Sequence, residues 1–465
     1  MNTIAKPDFL NNDDRQMGDG SLVSELIDFD KREVHSRVYS DPELYQLELE
    51  KIWAKQWVVV GHESEIPNTG DYITRMVGDD SVIISRTGEG TIECLLNMCS
   101  HRGAEVSRAE SGNTSVFRCI YHGWVFNLDG SYRGAPFVDE LYSEEEKDTS
   151  RMGLRTARVE LFGGIIFINW DAEAPSLEDS FGEFKYYLNT VFNRPKNGLE
   201  VLGAPQRFVV DANWKVAAEQ FACDALHAGQ LHRSLGDLTG GDRNKAEDWQ
   251  LYSPTVSTKE AHSIICFDQT VIFEKFEPNH AQIPPLEKLK MLPPPGVPAE
   301  LVPELAELYS QDELQLIADT PPSNGSLFPN IGIWCMTQLF ADGTTAPYLS
   351  FRTYAPRGLN QFEFTNWTLV ARDADQDYRE LMKKSLSFSQ GAGGFVEQDD
   401  AEMWPSVTTA ASGYIGRQET LKYWAMAGHN PPENWPGLGN VHTGFAKDDP
   451  QWIWWQRYFS ELTTA

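Results

Sequence analysis

The sequence predicts an α+β protein of two domains, a small all-β domain ahead of a larger one mixing helices with antiparallel sheet. Three observations carry this. The chain has 465 residues, more than one hydrophobic core comfortably fills. Between about residues 57 and 172, short β-rich runs alternate with Gly, Asn and Asp turns. From 173 onward, segments of helical spacing alternate with longer strands. The domains are therefore read as an N-terminal segment, 1–56, packing on the larger domain, then 57–172 and 173–465.

In chain order, Pro42 to Ala54 has helical spacing of Leu44, Leu47, Leu49 and Ile52. Trp57–Gly61, Tyr72–Val77, Ser81–Ser85, Thr91–Asn97, Val116–Ile120 and Gly164–Trp170 read as strands. Trp214 to about His232 is helical in composition, as is Asp377–Phe388, with Tyr378, Leu381, Met382 and Leu386 on one face. Ile331–Phe340, Tyr348–Tyr354 and Phe362–Val370 read as strands of an antiparallel sheet. The proline-rich stretch Pro278–Pro303 reads as an irregular loop, a lid or a subunit contact. Trp452–Phe459, dense in aromatics, reads as a docking helix, with subunit contact as the other option. The sequence has no internal repeat.

Composition excludes several classes. Apolar residues make up 41% and aromatics 12%, enough for packed interiors. A net charge of -29 repels phosphate backbones and anionic headgroups, so neither nucleic acid nor a membrane surface is an expected partner. Met1 to about Gly20 is polar and acidic, unlike a signal peptide. Gly163–Trp170, the richest apolar run, has strand length and falls far short of a membrane span. Six cysteines are too few for a disulfide scaffold and fit a reducing, cytoplasmic setting.

The first candidate metal site lies in the β domain, at Cys99-Ser100-His101 and, after seventeen intervening residues, Cys119-Ile120-Tyr121-His122. Two thiolates and two imidazoles can hold zinc, or a [2Fe-2S] cluster with both histidines on one iron. Zinc fingers of the common kind pair cysteine with cysteine and histidine with histidine. Here each loop gives one of each, which suits two loops approaching a cluster from opposite sides. Arg102-Gly103 and Gly123-Trp124 flank the pairs. The glycines would let N–H groups approach the sulfurs, and Trp124 could shield the cluster. The pattern resembles the Rieske signature. Cys94, Cys223, Cys266 and Cys335 read as small buried hydrophobes.

A second site is needed to use the electrons. His227 and His232 are five apart, which an ideal helix would set about 140° from each other. A local break is required, with Gly229 the plausible place and His232 just past the helix end. Two imidazoles and a carboxylate form the facial triad that holds Fe(II) with positions left for O2. The carboxylate candidates lie in Glu397-Gln398-Asp399-Asp400, between which the residues alone do not choose. Asp224, three before His227, can take the non-ligating imidazole N–H and fix its tautomer.

With both motifs in hand, the chain resembles the α subunits of the aromatic ring-hydroxylating dioxygenases, the naphthalene and biphenyl dioxygenase group. The likeness spans nearly the whole length, from the helix before Trp57 through both Cys/His pairs and Gly163–Asp171 to the Glu-Gln-Asp-Asp segment. It implies an all-β Rieske domain inserted into a helix-grip catalytic domain. It implies that Cys99, His101, Cys119 and His122 bind the cluster, and that His227, His232 and Asp400 bind mononuclear Fe(II). It makes Asp224 the bridge between a Rieske histidine of one subunit and His227 of its neighbour. One departure is Gln220, where the family often has Asn near the iron. Side chains near the helix, Phe221, Ala222, Leu226 and Ala228, with Phe388, Phe395 and Val396, become pocket candidates.

The activity so implied is addition of both atoms of O2 to an aromatic ring, giving a cis-dihydrodiol. Electrons would come from NAD(P)H through a reductase and a ferredoxin. The expected assembly is a trimer of α subunits, α3, or α3β3 with a small β subunit. Two alternatives are a Rieske monooxygenase acting on methoxy, amine or alkyl groups, and a pure Rieske electron carrier, against which the His227, His232 and carboxylate set argues. Whether a basic residue such as Arg207 or Arg352 points inward, as an aromatic acid would need, is open on sequence.

Overall fold

A computed structural model describes residues 14–143, 149–232, 253–277, 279–339, 345–391, 393–394, 396–444 and 447–464. The chain forms two compact units, Leu49–Leu177 and a larger one that joins Met1–Glu48 to Glu178–Ala465. The smaller unit thus interrupts the sequence of the larger.

The smaller unit is all-β apart from short helical turns. Its strands are β1 (Val58–His62), β2 (Asp71–Val77), β3 (Asp80–Arg86), β4 (Ile92–Leu96), β5 (Ser111–Asn113), β6 (Phe117–Arg118), β7 (Val125–Phe126), β8 (Tyr132–Gly134), β9 (Thr156–Phe162) and β10 (Ile165–Asn169). A seven-stranded antiparallel sheet runs β1-β10-β9-β4-β3-β2-β5, and β8-β7-β6 make a second, three-stranded sheet. Val82, Ile83 and Ile84 are fully buried, so β3 is covered on both faces. The β2–β3 hairpin closes through Gly78-Asp79, with Val77 opposite Asp80. Gly78 has φ 58, as two-residue hairpins demand, and a Cβ there would meet Leu49 Cδ2 at 2.9 Å.

The larger unit is built on a nine-stranded antiparallel sheet. Its strands are β11 (Leu199–Val201), β12 (Gln206–Val210), β13 (Thr255–Ser257), β14 (Ser263–Cys266), β15 (Pro322–Leu327), β16 (Ile331–Leu339), β17 (Thr345–Pro356), β18 (Phe362–Ala371) and β19 (Asn440–His442). The order is β11-β18-β17-β16-β15-β14-β13-β19, with β12 also on β18. Helices are α1 (Pro42–Glu48), α2 (Lys185–Phe192), α3 (Trp214–Phe221), α4 (Ala225–Gln230), α5 (Pro285–Met291), α6 (Gln311–Asp319), α7 (Gln376–Ser389), α8 (Glu397–Ser412) and α9 (Asp449–Thr463). α3 lies on β15–β17, α7 on β17 and β18, and α8 and α9 on α3. This is the helix-grip arrangement, a curled sheet holding helices, with the β unit as an insertion.

The docking-helix reading of Trp452–Phe459 holds: α9 buries Trp452, Trp454, Trp455, Tyr458 and Phe459. Trp454 meets Trp214 of α3 edge-on at 6.0 Å. Under it, the fully buried Glu48 carboxylate accepts from Trp214 Nε1 (2.7 Å), Lys215 Nζ (2.6 Å) and the Tyr458 hydroxyl (2.6 Å). A buried carboxylate with three donors is a satisfied one.

Three expectations are corrected. The proline-rich stretch is no simple loop: it holds α5 and a 3-10 helix, Ala299–Glu304. Pro284, Pro285 and Pro298 sit at helix starts, where a missing N–H costs nothing, and α5 packs on α6 with Lys288 paired to Asp319 at 2.5 Å. Pro278 is outside the described residues. The helix expected from Pro42 to Ala54 is α-helical only to Glu48; Leu49–Trp53 form a π turn. The long helix from Trp214 to His232 is two helices, and it breaks at Ala222–Asp224 instead of Gly229. Cys223 takes φ 70, and Asp224 caps the new helix by accepting from the N–H groups of Leu226 and His227.

Candidate metal centres

The first cluster of ligand-type side chains sits where β4 ends and where β6 turns into β7. The two loops repeat one geometry. The Cys99 N–H donates to Ala104 O, and the Gly103 N–H to Cys99 O; the Cys119 N–H donates to Trp124 O, and the Gly123 N–H to Cys119 O. Gly103 and Gly123 have φ 78 and 76, so each glycine makes the turn possible. Backbone N–H groups do reach sulfur: those of His101 and Arg102 donate to the Cys99 thiol. Burial raises that thiol's pKa above the ordinary range, and the adjacent Cys119 thiol adds to it.

The two imidazoles converge as well. His101 and His122 rings are 4.6 Å apart, and Trp124 stacks on His101 at 4.8 Å and 8°. His101 Nδ1 is buried and has no partner among the described residues. Two neighbouring sulfurs, two facing imidazoles and one orphaned ring nitrogen fit a [2Fe-2S] group of the Rieske kind. Asn97 is a residue the sequence reading missed. Its side chain accepts from the Val106 and Ser107 N–H groups and donates to Ser81 Oγ and Ser107 O, pinning the first loop from within.

The second cluster gathers α4, the residues after it and the first turn of α8. His227 lies in α4, and His232 follows the helix end. His227 Nε2 is 3.8 Å and His232 Nε2 3.4 Å from Asp400 Oδ1, and the three ligand atoms lie within 4.8 Å of one another. His232 Nε2 is buried with no hydrogen-bond partner among the described residues. A nitrogen aimed at two other donors, without a proton partner, fits a metal ion, and two imidazoles with one carboxylate are the donor set for Fe(II).

The structure also separates the two aspartates. Adjacent helix residues point about 100° apart, and Asp399 Oδ2 meets the other nitrogen of the ring, His232 Nδ1, at 3.2 Å. Asp399 therefore orients the imidazole while Asp400 joins the triad. On His227 the same role falls to Asp224, whose Oδ2 faces Nδ1 at 3.5 Å. Gln220 Nε2 donates to Asp400 Oδ1 at 2.7 Å and lies 3.2 Å from His227 Nε2, while its Oε1 accepts from Trp404 Nε1 at 2.8 Å.

Comparison with known proteins agrees. Residues 56–145 match the Rieske [2Fe-2S] domain, and residues 198–421 match the ring hydroxylating alpha subunit catalytic domain. Biphenyl 2,3-dioxygenase subunit alpha of Rhodococcus jostii is 31% identical over 417 residues, 89% of this chain and 86% of that protein. N,N-dimethyl phenylurea N-demethylase subunit alpha of Sphingobium sp. is 28% identical over 458 residues, 96% of this chain and 95% of its own. The crystal structure of naphthalene 1,2-dioxygenase from Rhodococcus sp. bound to indole superposes with a TM-score of 0.81 at 33% identity, covering 93% of this chain and 94% of that one. The chain belongs to the ring-hydroxylating oxygenase α-subunit family.

In this α subunit, carboxylates set the protonation of the second centre. Burial opposes a charged His227, but the Asp224 and Asp400 carboxylates outweigh it and raise its pKa to about 9. The same negative field draws a cation to the imidazoles. Arg352 does point inward, but it is committed. It is fully buried, its Nη1 donates to Glu397 Oε1 (2.8 Å) and Oε2 (3.1 Å), and its Nη2 donates to Gln390 Oε1 (2.5 Å). Arg207 is likewise paired, with Glu363 at 2.6 Å. Glu397, one turn before Asp400, was legible in the sequence only as part of an acidic helix start.

Of the pocket candidates, Phe221 is buried against Trp334 and Tyr354, with ring centroids at 6.4 and 5.4 Å. Ala222 and Val396 are buried, Ala228 is half-buried, and Leu226 and Phe388 are exposed. Phe395 lies outside the described residues.

Proposed function

We propose that this chain, a Rieske non-haem iron dioxygenase α subunit, adds both atoms of O2 to an aromatic ring to give a cis-dihydrodiol, as terminal oxygenase. The observation that carries the reading is the convergence of His227, His232 and Asp400 in a chain that also presents the two Cys/His loops. Bound by those three side chains, Fe(II) supplies the O2-activating centre, and a [2Fe-2S] cluster on Cys99, His101, Cys119 and His122 supplies electrons one at a time.

The chain's own residues hold and order these groups. Asp399 takes the outward nitrogen of His232, and Asp224 faces that of His227 at 3.5 Å, which turns Nε2 of each ring toward Asp400. Gln220 holds the Asp400 carboxylate by its Oδ1. Asp224 spends Oδ1 on capping α4, which leaves Oδ2 for imidazoles. With its side chain 34% exposed it can accept from His122 of a neighbouring copy, linking one copy's cluster to the next copy's iron. Trp124, stacked on His101, shields the cluster.

The partners that follow are a ferredoxin and its reductase delivering electrons from NAD(P)H, and a small β subunit in an α3β3 assembly, or α3 without it. The β partner is supported by relatives named as α subunits. No described helix is long and apolar enough to cross a membrane. A cytoplasmic setting is supported by six cysteines that are all free.

A second reading, monooxygenation, is favoured by the N-demethylase among the relatives. Isotopically labelled O2 separates the two. With purified chain, its electron donors and an aromatic panel, the product should carry label at both new oxygens. A single labelled atom would transfer the reading to the monooxygenase.

A further inference from the structure

β16, β17 and β18 present their even-numbered side chains on one face and odd-numbered ones on the other. On the odd face the paired row Ile333, Phe351 and Trp367 is apolar and buried, as a core-facing row should be. The even face is different. Trp334 is opposite Ser350, and Ser350 is opposite Thr368; one register step away, Arg352 is opposite Asn366. All five are buried. Trp334 Nε1, Ser350 Oγ, Thr368 Oγ1, Arg352 Nε and both amide atoms of Asn366 have no hydrogen-bond partner among the described residues.

This face belongs to the second centre. Phe221, next to Gln220, packs on Trp334 and beneath the Arg352 guanidinium, whose carbon is 4.9 Å from its ring. Arg352 reaches Glu397, one turn before Asp400. Gly332, the residue of β16 opposite Arg352, holds the approach tight: a Cβ there would lie 2.5 Å from the Tyr354 hydroxyl and 3.0 Å from Phe221 Cδ1. Buried polar groups are almost always paired, and a group of them on one face, unpaired, waits for a partner from outside the fold. Among these atoms, Trp334 Nε1, Arg352 Nε and the Asn366 nitrogen can only donate, and the Asn366 oxygen alone can only accept. The guanidinium charge is matched by Glu397, so the wall is rich in donors yet carries no free cation among the described residues.

Resting on the oxygenase reading above, we propose that this wall selects an aromatic substrate bearing a neutral hydrogen-bond acceptor, a carbonyl of the ketone, amide or urea class, over a plain hydrocarbon or a carboxylate. Ser350 and Thr368, with Trp334, are the specificity-determining residues.

The test is binding, read independently of turnover, by titration calorimetry on the purified holoenzyme. Acetophenone and α-methylstyrene share a shape and differ in C=O against C=CH2; benzoate supplies the anionic arm. Acetophenone should bind at least about tenfold tighter than either, since one matched hydrogen bond is worth about that factor. Ser350→Ala with Thr368→Val should weaken acetophenone severalfold toward the level of α-methylstyrene, which itself stays unchanged, Trp334 Nε1 being the donor that remains. Because neither hydroxyl has a partner among the described residues, the double variant should melt no lower than the parent. Equal affinities, tightest binding of benzoate, no measurable acetophenone binding at millimolar concentration, or a large fall in Tm in the double variant would each overturn the proposal. Preferential binding without oxygenated product would leave it standing and remove the oxygenase reading instead.

Discussion

The two metal-type centres of this chain are built in opposite ways. The Cys/His loops are local and repetitive: one turn geometry is used twice, Cys99 to Ala104 and Cys119 to Trp124, within one small β unit. Their tip is open, with Ile120 66% and Tyr121 60% exposed between the ligand-type residues. The second centre is assembled from distant sequence, with Gln220 bonded to Asp400 across 180 positions, and it is the more enclosed, with Asp400 1% and His232 6% exposed against 24% for His227. Physical chemistry asks for that contrast. A group that trades single electrons with a protein partner must come near the surface, whereas one that activates O2 must exclude water and competing reactions. The open site is held by backbone bonds, and the closed one by side-chain networks that tie histidines to carboxylates.

That contrast is broken most sharply by His227→Ala. If the centres are independent in construction, the variant keeps the visible spectrum of the cluster, loses one iron per chain and falls to undetectable turnover. Metal analysis showing an unchanged iron content would strike His227 from the ligand set.

Asp224→Asn is expected to act next most strongly, and it probes how the centres are joined. Asn is as good a helix cap as Asp, so α4 should form normally. The neutral amide cannot serve as the charged bridge between imidazoles. Steady-state turnover should fall about 100-fold, at the upper end for groups that orient metal ligands, with cluster and iron both retained. Rapid-mixing spectroscopy would follow oxidation of the pre-reduced cluster in a single turnover. A wild-type rate in that experiment would end the relay.

The same contrast explains what the sequence could disclose. The Cys99/His101 and Cys119/His122 spacing is legible because the loops are local, and the β-branched runs of β3 and β10 announce buried strands. His227 and His232 announced a break, but its place did not follow from residue type, since the strained position is Cys223 at φ 70 and not Gly229. The roles of Asp399 and Asp400 depend on how α8 is rotated against His232, which only tertiary packing sets. Arg352, Glu397 and Gln390 come from three separate elements, and no short-range pattern connects them. Pro285 looked like a loop former and proved to be a helix start.

The smallest effect is expected from Glu219, which lies on α3 beside Gln220 and belongs to the network side of the comparison. Tyr39 and Tyr423 donate to its carboxylate, each at 2.5 Å, and the Trp455 Nε1 donates to the Tyr423 hydroxyl at 2.6 Å. Burial raises the Glu219 pKa from 4.5 to about 7, with nearby Asp224 adding to it and the hydroxyl donors pulling against it. Between those two values the folded chain keeps a proton that the unfolded chain has given up. The contribution to stability is therefore whole below pH 4.5, shrinks as pH rises, and reaches its full loss above pH 7, by at most about 3 kcal/mol. Glu219→Gln mimics the protonated form at every pH and can still bond both hydroxyls. The Tm of the variant relative to wild type should thus climb by a few degrees from pH 5 to pH 8, with the cluster spectrum and iron content unaltered. A Tm difference that does not change with pH would mean that the folded chain holds Glu219 ionised throughout, and that the network of Tyr39, Tyr423 and Trp455 compensates burial completely.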